Sequence, residues 1–262
     1  MHPEDGPVVV GVDGTAAALH AVRTAAGEAA ARGAELRVVH AFAWSPHDAE
    51  RPYQQLRDEA AALLDRAVAT AVRLAPRTPV RGVLVDGAPA RVLVQHSRSA
   101  GLVVVGDDLE APSSPVPLDS VLLQVVARSW RPVLVARAGG APGGPVVAGV
   151  DASPAAAEVA RHAAACAARA SVPLRVLHVT RAGAEPAALA AELTAALDDA
   201  AKDHTPEVIT GEPGAELVRA AAGASRLVIG ARGTASRLFG PVAQHVVRHA
   251  PGPVVVVHGH TP

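Results

Sequence analysis

The segment Val8-Val9-Val10-Gly11-Val12-Asp13-Gly14-Thr15 returns 138 residues later as Val146-Val147-Ala148-Gly149-Val150-Asp151-Ala152-Ser153. Each copy is an apolar run that ends in Gly-x-Asp-x-Ser/Thr and leads into an Ala-rich stretch. A repeat of domain size in a chain of 262 residues fixes two units of one architecture and gives every candidate residue a counterpart. Leu36 to Ala41, with His40, returns as Leu174 to Val179, with His178, at the same offset. Val85-Asp86-Gly87-Ala88-Pro89 returns as Ile209-Thr210-Gly211-Glu212-Pro213, and Leu102 to Gly106 as Arg226 to Gly230, both 124 residues on. Pro132 to Val135 returns as Pro253 to Val256, 121 residues on. The second copy is thus 14 residues shorter between its second and third runs and 3 shorter between its fourth and fifth. The element order is unchanged, so both losses fall in connections or helix ends. The domains are expected at 1–138 and 145–262. Gly139-Gly140-Ala141-Pro142-Gly143-Gly144-Pro145 reads as a short linker that keeps the halves close.

Val-rich runs alternate with Ala-rich stretches of helical character. Strands that are apolar without alternation are buried on both faces, which means a parallel sheet covered by helices. Hydrophobic residues make up 50% and aromatics only 2%, so the cores must be built from Val, Leu and Ala. Strands are expected at 8–12, 36–42, 80–85, 102–106 and 132–136, and again at 146–150, 174–180, 206–210, 226–230 and 253–257. Helices are expected at 15–32, 53–75, 88–99 and 117–129, and again at 154–170, 186–203, 213–223 and 239–249. Thr15 and Ser153 read as N-caps, Pro154 as a first helical residue and Gly33 as a helix stop. Right-handed crossovers turn each half into a doubly wound α/β sheet with its ligand site at the carboxyl ends of the strands. Asp13, Ala41 and the segment after Gly106 fall on one such rim. Asp151, Val179 and the segment after Gly230 fall on the other.

The formal net charge is −1 and neither half is basic, which argues against nucleic acid or an anionic membrane as partner. No apolar run approaches the roughly 20 residues of a membrane span. The stretch Met1-His2-Pro3-Glu4-Asp5 is unlike a signal peptide, and the single Cys166 excludes an intrachain disulfide framework. A cytoplasmic protein is expected.

Four features together resemble the universal stress protein family. They are Val-Gly-Val-Asp-Gly-Thr before a helix, Val-Val-His-Ala at the second strand, Gly-x-Pro before the third helix and Gly-Ala-Arg-Gly after the fourth strand. The resemblance covers nearly the whole chain, twice, as a tandem form. It implies five-stranded parallel sheets of order 3-2-1-4-5, pairing between the domains through their fifth strands and, in many members, ATP or AMP binding. It also implies that Asp13 and Asp151, with the backbones of Ala41 and Val179, contact the adenosine moiety. The alternative for each Asp is that it orients the following turn.

The family's phosphate pattern is Gly-x2-Gly-x9-Gly-(Ser/Thr), in which glycines admit backbone N–H groups to phosphate oxygens and the hydroxyl adds a donor. The first copy reads Gly106-Asp107-Asp108-Leu109, nine residues, then Asp119-Ser120. Spacing and hydroxyl survive, but two glycines are replaced and three carboxylates would repel a polyanion. The second copy reads Gly230-Ala231-Arg232-Gly233, six residues, then Gly240-Pro241-Val242. All three glycines survive and Arg232 supplies a cation. The loop is three residues short, and Pro241 supplies neither hydroxyl nor N–H. By this resemblance a nucleotide favours the second domain, with Gly230, Arg232, Gly233, Gly240 and Val242 around it.

Other motifs carry less. Neither common nucleotide-binding fingerprint is present. His245 and His249 have metal-ligand spacing without an evident third ligand, and read as helix-surface residues. His40 and His178 read as structural donors, Cys166 as a small core residue, and Asp107-Asp108-Leu109-Glu110 as a solvated acidic loop. Pro112, Pro115 and Pro117 stiffen the segment that follows. No nucleophile, base and metal constellation supports an enzyme. The expected function is a stress-response regulatory or scaffold module with degenerate nucleotide sites. The alternative is ATP or AMP binding, mainly by the second domain; a nucleotide hydrolase is supported least. Homodimerisation and a protein partner are left open.

Overall fold

The structure is a computed structural model. It describes residues 6–44, 51–107, 120–151, 153, 155–181, 190–191, 194, 206–231 and 239–258. Two compact units divide the chain. The first holds residues 1–110 and 117–136, the second 111–116 and 137–262.

In the first unit the order is β1 (Val8–Val12), α1 (Ala16–Arg32), β2 (Leu36–Phe42), α2 (Tyr53–Leu74), β3 (Val80–Asp86), α3 (Pro89–Ser97), β4 (Leu102–Gly106), α4 (Val121–Arg128) and β5 (Val133–Ala136). The strands lie side by side as β3-β2-β1-β4-β5. Every pairing is parallel. The second unit runs β6 (Val146–Val150), α5 (Ala156–Ala170), β7 (Leu174–Thr180), β8 (Glu207–Thr210), α6 (Pro213–Ala222), β9 (Arg226–Gly230), α7 (Pro241–His249) and β10 (Val254–Val257). Its order β10-β9-β6-β7-β8 repeats the arrangement of the first unit, again all parallel. Each unit is therefore an α/β doubly wound sheet of order 3-2-1-4-5. The expected helix 186–203 and residues 117–119 fall largely outside the described residues.

Burial follows the residue types. Val8, Val9 and Val10 of β1 and Leu102, Val103 and Val104 of β4 are fully buried, as central strands sandwiched by helices must be. The edge strand β3 is nowhere fully buried, its residues ranging from half-buried to exposed. α1 packs on β1 and β4 and against α2, while α3 packs against α4, the two layers that right-handed crossovers produce.

Glycines inside the strands are there for packing. A Cβ on Gly11 would stand 2.8 Å from Leu93 of α3, and one on Gly149 2.8 Å from Leu217 of α6. Helix and sheet approach through the missing side chain in both units. Both glycines sit within strands, β1 and β6. The stretch 139–145, expected to be a linker, belongs with the preceding Arg137 to the second unit. Arg137 donates to the carbonyls of Val247 and Ala250, and Ala141 N–H donates to Ala224 O at 2.9 Å. Among the described residues no helix is long and apolar enough to cross a membrane.

Candidate functional site

The carboxyl rim of the first unit is shaped by unequal strand lengths. The β1–β2 register stops at Val12 opposite His40, whereas β2 continues beside β3 as far as Phe42 opposite Asp86. Ala41 and Phe42 therefore overhang the end of β1 on the side where the chain turns into α1. The second unit repeats the step: Val150 opposes His178, and β7 continues through Val179 to Thr180. Sequence reasoning places Ala41 and Val179 on this rim, and both stand on the overhang.

The histidines at the step are structural in both units. His40 Nδ1 lies 2.7 Å from Val12 O and His178 Nδ1 lies 2.8 Å from Val150 O. A carbonyl only accepts, so Nδ1 carries the hydrogen and Nε2 is the basic nitrogen. The bond ties the last residue of the central strand to its neighbour and holds the rim in register.

The turn after each central strand begins with the predicted aspartate. Asp13 Oδ1 accepts from Thr15 N–H at 3.0 Å and from the Thr15 hydroxyl at 2.8 Å, and Thr15 Oγ1 accepts from Ala18 N–H at 3.1 Å. Asp13 thus orients the turn and Thr15 caps α1. Asp151 Oδ1 accepts from Ser153 N–H at 3.1 Å. There the parallel ends. The N-cap of α5 is Ala155, so the expectation that Ser153 caps that helix is corrected. The Ser153 hydroxyl is buried without a hydrogen bond among the described residues. Pro154 lies outside the described residues.

Between this rim and the first half of α2 lies a cleft of about 660 Å³. Asp13 and His40 line its floor, Phe42 and Trp44 one wall, and Glu59 and Arg66 of α2 the other. Arg51 also lines it and pairs with Glu59. The aromatic wall is braced: Tyr53 meets Phe42 and Trp44 edge-to-face, with ring centroids 5.5 and 5.6 Å away. The Tyr53 hydroxyl donates to Asp86 Oδ1 at 3.2 Å, and Arg57 donates to the same oxygen at 2.7 Å. These bonds pin the start of α2 to the end of β3. A free volume of this size fits a nucleoside or mononucleotide.

The phosphate end is a different matter. Gly106 closes β4, and a Cβ there would fall 2.5 Å from Ala17 O in the first turn of α1. Its glycine is required by that contact whatever ligand is bound. Ser120 is the N-cap of α4, its Oγ accepting from Leu123 N–H at 3.2 Å. Asp107 follows β4; Asp108, Leu109 and Asp119 lie outside the described residues. In the second unit Gly230 ends β9 and Gly240 caps α7, followed by Pro241 and Val242 in the first turn. Gly240 N–H already donates to Ala231 O at 2.9 Å. Arg232 and Gly233 lie outside the described residues.

Of the remaining candidates, His245 and His249 stack with centroids 4.3 Å apart, and His249 Nδ1–H donates to His245 O at 2.8 Å. Desolvation of His245 and, after it, the neighbouring His249 hold its pKa below the ordinary histidine value, with Glu212 opposing. Cys166 is buried as expected, with Arg169 and Arg226 each 3.5 Å from its sulfur. Among the described residues no group of three or more His, Cys, Asp and Glu side chains could hold a metal. Sequence reasoning missed the α2 wall of the cleft. The signal was available: Phe42, Trp44 and Tyr53 are three of the five aromatic residues of the whole chain, within one short window.

A parallel sheet of order 3-2-1-4-5 present twice, with a cleft at the carboxyl end of the first unit's first two strands, defines a class of tandem doubly wound α/β domains. The family model for the universal stress protein family matches residues 6–137 and 144–258, and the chain belongs to that family. Universal stress protein Rv2005c of Mycobacterium tuberculosis is 39% identical over 139 residues, 52% of this chain and 46% of that protein. The chain therefore spans about half the length of the curated relatives it matches. A crystal structure of a universal stress protein from Archaeoglobus fulgidus shares the fold with a TM-score of 0.79 at 17% identity, covering 98% of this chain and 97% of its own. A universal stress protein crystallised in complex with cAMP aligns with 50% of this chain and 94% of its own, at 30% identity and a TM-score of 0.41.

Proposed function

We propose that the chain is a non-catalytic regulatory module of the stress response. In this reading the first unit holds an adenine nucleoside or mononucleotide, and its occupancy alters association with a protein partner. One observation carries the proposal: the cleft on the carboxyl rim of β1 and β2, where Asp13 and His40 meet an aromatic wall of Phe42 and Trp44. A non-catalytic role is supported by what the polar groups already do. His40 is committed through Nδ1 to Val12, and Asp13 through Oδ1 to Thr15. A cytoplasmic location is supported by cysteine usage, the one thiol being buried. Pairing of the two units through their fifth strands is supported by the strand orders: β5 and β10 each end their own unit's order, and an uncovered Val-rich edge invites association.

A second reading places ATP or AMP in the second domain. It is favoured by Gly230 and Gly240 in the β9–α7 connection, with Arg232 between them in sequence. The test is mass spectrometry of small molecules released from the purified protein, together with calorimetric titration of adenosine, AMP and ATP. Binding that is lost on Asp13→Ala supports the first unit, and binding lost on Gly233→Leu supports the second. No released nucleotide and no heat would defeat both readings and leave the scaffold role alone.

A further inference from the structure

The first-unit cleft carries a cation where the family pattern would not put one, on α2. This inference rests on the nucleoside reading of the cleft and concerns the acidic group of its ligand. Four charged side chains line the space: Asp13, Glu59, Arg51 and Arg66. Arg51 and Glu59 neutralise each other. Asp13 is half committed to the Thr15 turn. Arg66 has no such explanation. It sits mid-helix with Ala62, Leu63, Ala69 and Thr70 at the positions that face it, so no helical ion pair is available. Among the described residues its exposed guanidinium makes no hydrogen bond or ion pair, although Thr70 uses its backbone carbonyl. It is an unclaimed planar donor fork at the edge of a ligand-sized space.

The aromatic wall stands in the same space. In a chain with two Trp, one Tyr and two Phe, three of the five gather here, and Trp44 is 41% exposed. A planar ring is the ligand feature such a wall recognises. At the other end of the rim Asp107 follows β4, and the sequence carries Asp108 beside it and Asp119 where the family's phosphate pattern has glycine. A polyphosphate reaching over β4 would approach Asp107, whereas one acidic group directed toward α2 would meet Arg66.

We propose that Arg66 is the anion anchor of the first unit and that the cleft selects a planar-ring ligand bearing one acidic group, of the nucleoside monophosphate class. The anchor has moved from the glycine loop after β4 to α2. Asp13 Oδ2 and the Ala41 backbone then serve the uncharged part of the ligand. Because one cation faces the ligand, a triphosphate is disfavoured.

The test uses the full chain with Trp130→Phe, which leaves Trp44 as the single tryptophan reporter inside the cleft. Adenosine, AMP and ATP are titrated against Trp44 emission in this background and with Arg66→Ala or Arg66→Lys added. Arg66 is exposed, so its removal leaves the core intact. The expected result is saturable binding of AMP, weaker binding of ATP, and a Kd for AMP raised about tenfold or more by Arg66→Ala, with adenosine unchanged within about twofold. Arg66→Lys should recover part of the AMP affinity. Equal weakening of adenosine and AMP, or no change in either, would overturn the anchor while leaving the nucleoside reading in place. No response of Trp44 to adenosine or AMP would overturn the nucleoside reading itself, and the anchor with it.

Discussion

Thr15 and Ser153 occupy equivalent positions and do different work. Thr15 Oγ1 accepts from Ala18 N–H and donates to Asp13, so one hydroxyl closes the turn and caps the helix. Thr15→Ala should cost about 1 kcal/mol, the usual value of an N-cap side chain. Ser153 Oγ is buried with no partner among the described residues, a desolvated group without compensation. Ser153→Ala should therefore leave stability unchanged or raise it by up to about 1 kcal/mol. Urea denaturation of the two variants checks the pair. Equal losses in both would mean that Ser153 caps after all. From sequence the two hydroxyls are indistinguishable, because Gly-x-Asp-x-Ser/Thr is the same motif whether the helix begins one residue or three residues later. Asp13 and Asp151 were legible for the opposite reason: an Asp at a strand end accepts from the turn whatever follows. Arg66 was not legible, since nothing in a helical Arg reveals that its neighbours on the folded surface leave it unpaired.

At the scale of elements, glycines sort by what stands opposite the missing Cβ. In α1, Gly27 has nothing within 4 Å, so Gly27→Ala should stabilise by roughly 0.5–1 kcal/mol through helix propensity. Gly106 faces backbone, the Ala17 carbonyl 2.5 Å away, which cannot rotate aside. Gly106→Ala should destabilise by about 1–3 kcal/mol and separate β4 from α1. Gly11→Ala meets the flexible end of Leu93 and should fall between the two. Thermal melts of the three variants rank them, and a Gly106→Ala variant as stable as the parent would remove the packing account of that glycine. The pairing of α6 with α7 adds a pH effect. His245, against Gly214 and His249 with Glu212 nearby, has a folded pKa below its unfolded value near 6.5. The unfolded chain then binds protons first as pH falls, so this group's contribution is full above pH 6.5 and is lost below it. His245→Gln should flatten the decline in stability between pH 7 and 5, read by denaturation at each pH. The described strands were legible to within a residue because continuous Val runs are unambiguous, whereas α4, expected from 117, begins at Val121 after the Ser120 cap. The end of β2 was expected correctly, yet its overhang beyond β1 emerges only when the two strands are set in register.

Across the whole molecule, the stretch between the repeats has a function that its composition conceals. Glycine and proline without apolar period read as a tether, and the repeat places the boundary near 138 to 145. The packing assigns Arg137 onward to the second unit. Arg137 donates to Val247 O and Ala250 O at the end of α7, where a helix leaves carbonyls unsatisfied and favours a cation. A Cβ on Gly139 would collide with Pro251 O, so the chain passes close against the connection from α7 to β10. A tether would tolerate change at both positions, whereas a clamp would not. Arg137→Ala should remove charge-assisted hydrogen bonds of about 1.5–3 kcal/mol at stake, and Gly139→Ala should force the segment away from Pro251. Hydrogen exchange followed by mass spectrometry gives the local reading: both variants should speed exchange in peptides covering α7 and β10, while peptides covering β1 and β2 keep the parent rates. Gly143, at φ +80° with open space around its absent Cβ, is the control: Gly143→Ala strains its own turn without reaching α7, and should leave α7 and β10 protected. Parent-like exchange in the Arg137 and Gly139 variants would return the segment to the role of a passive linker and put the start of the second domain back at Pro145.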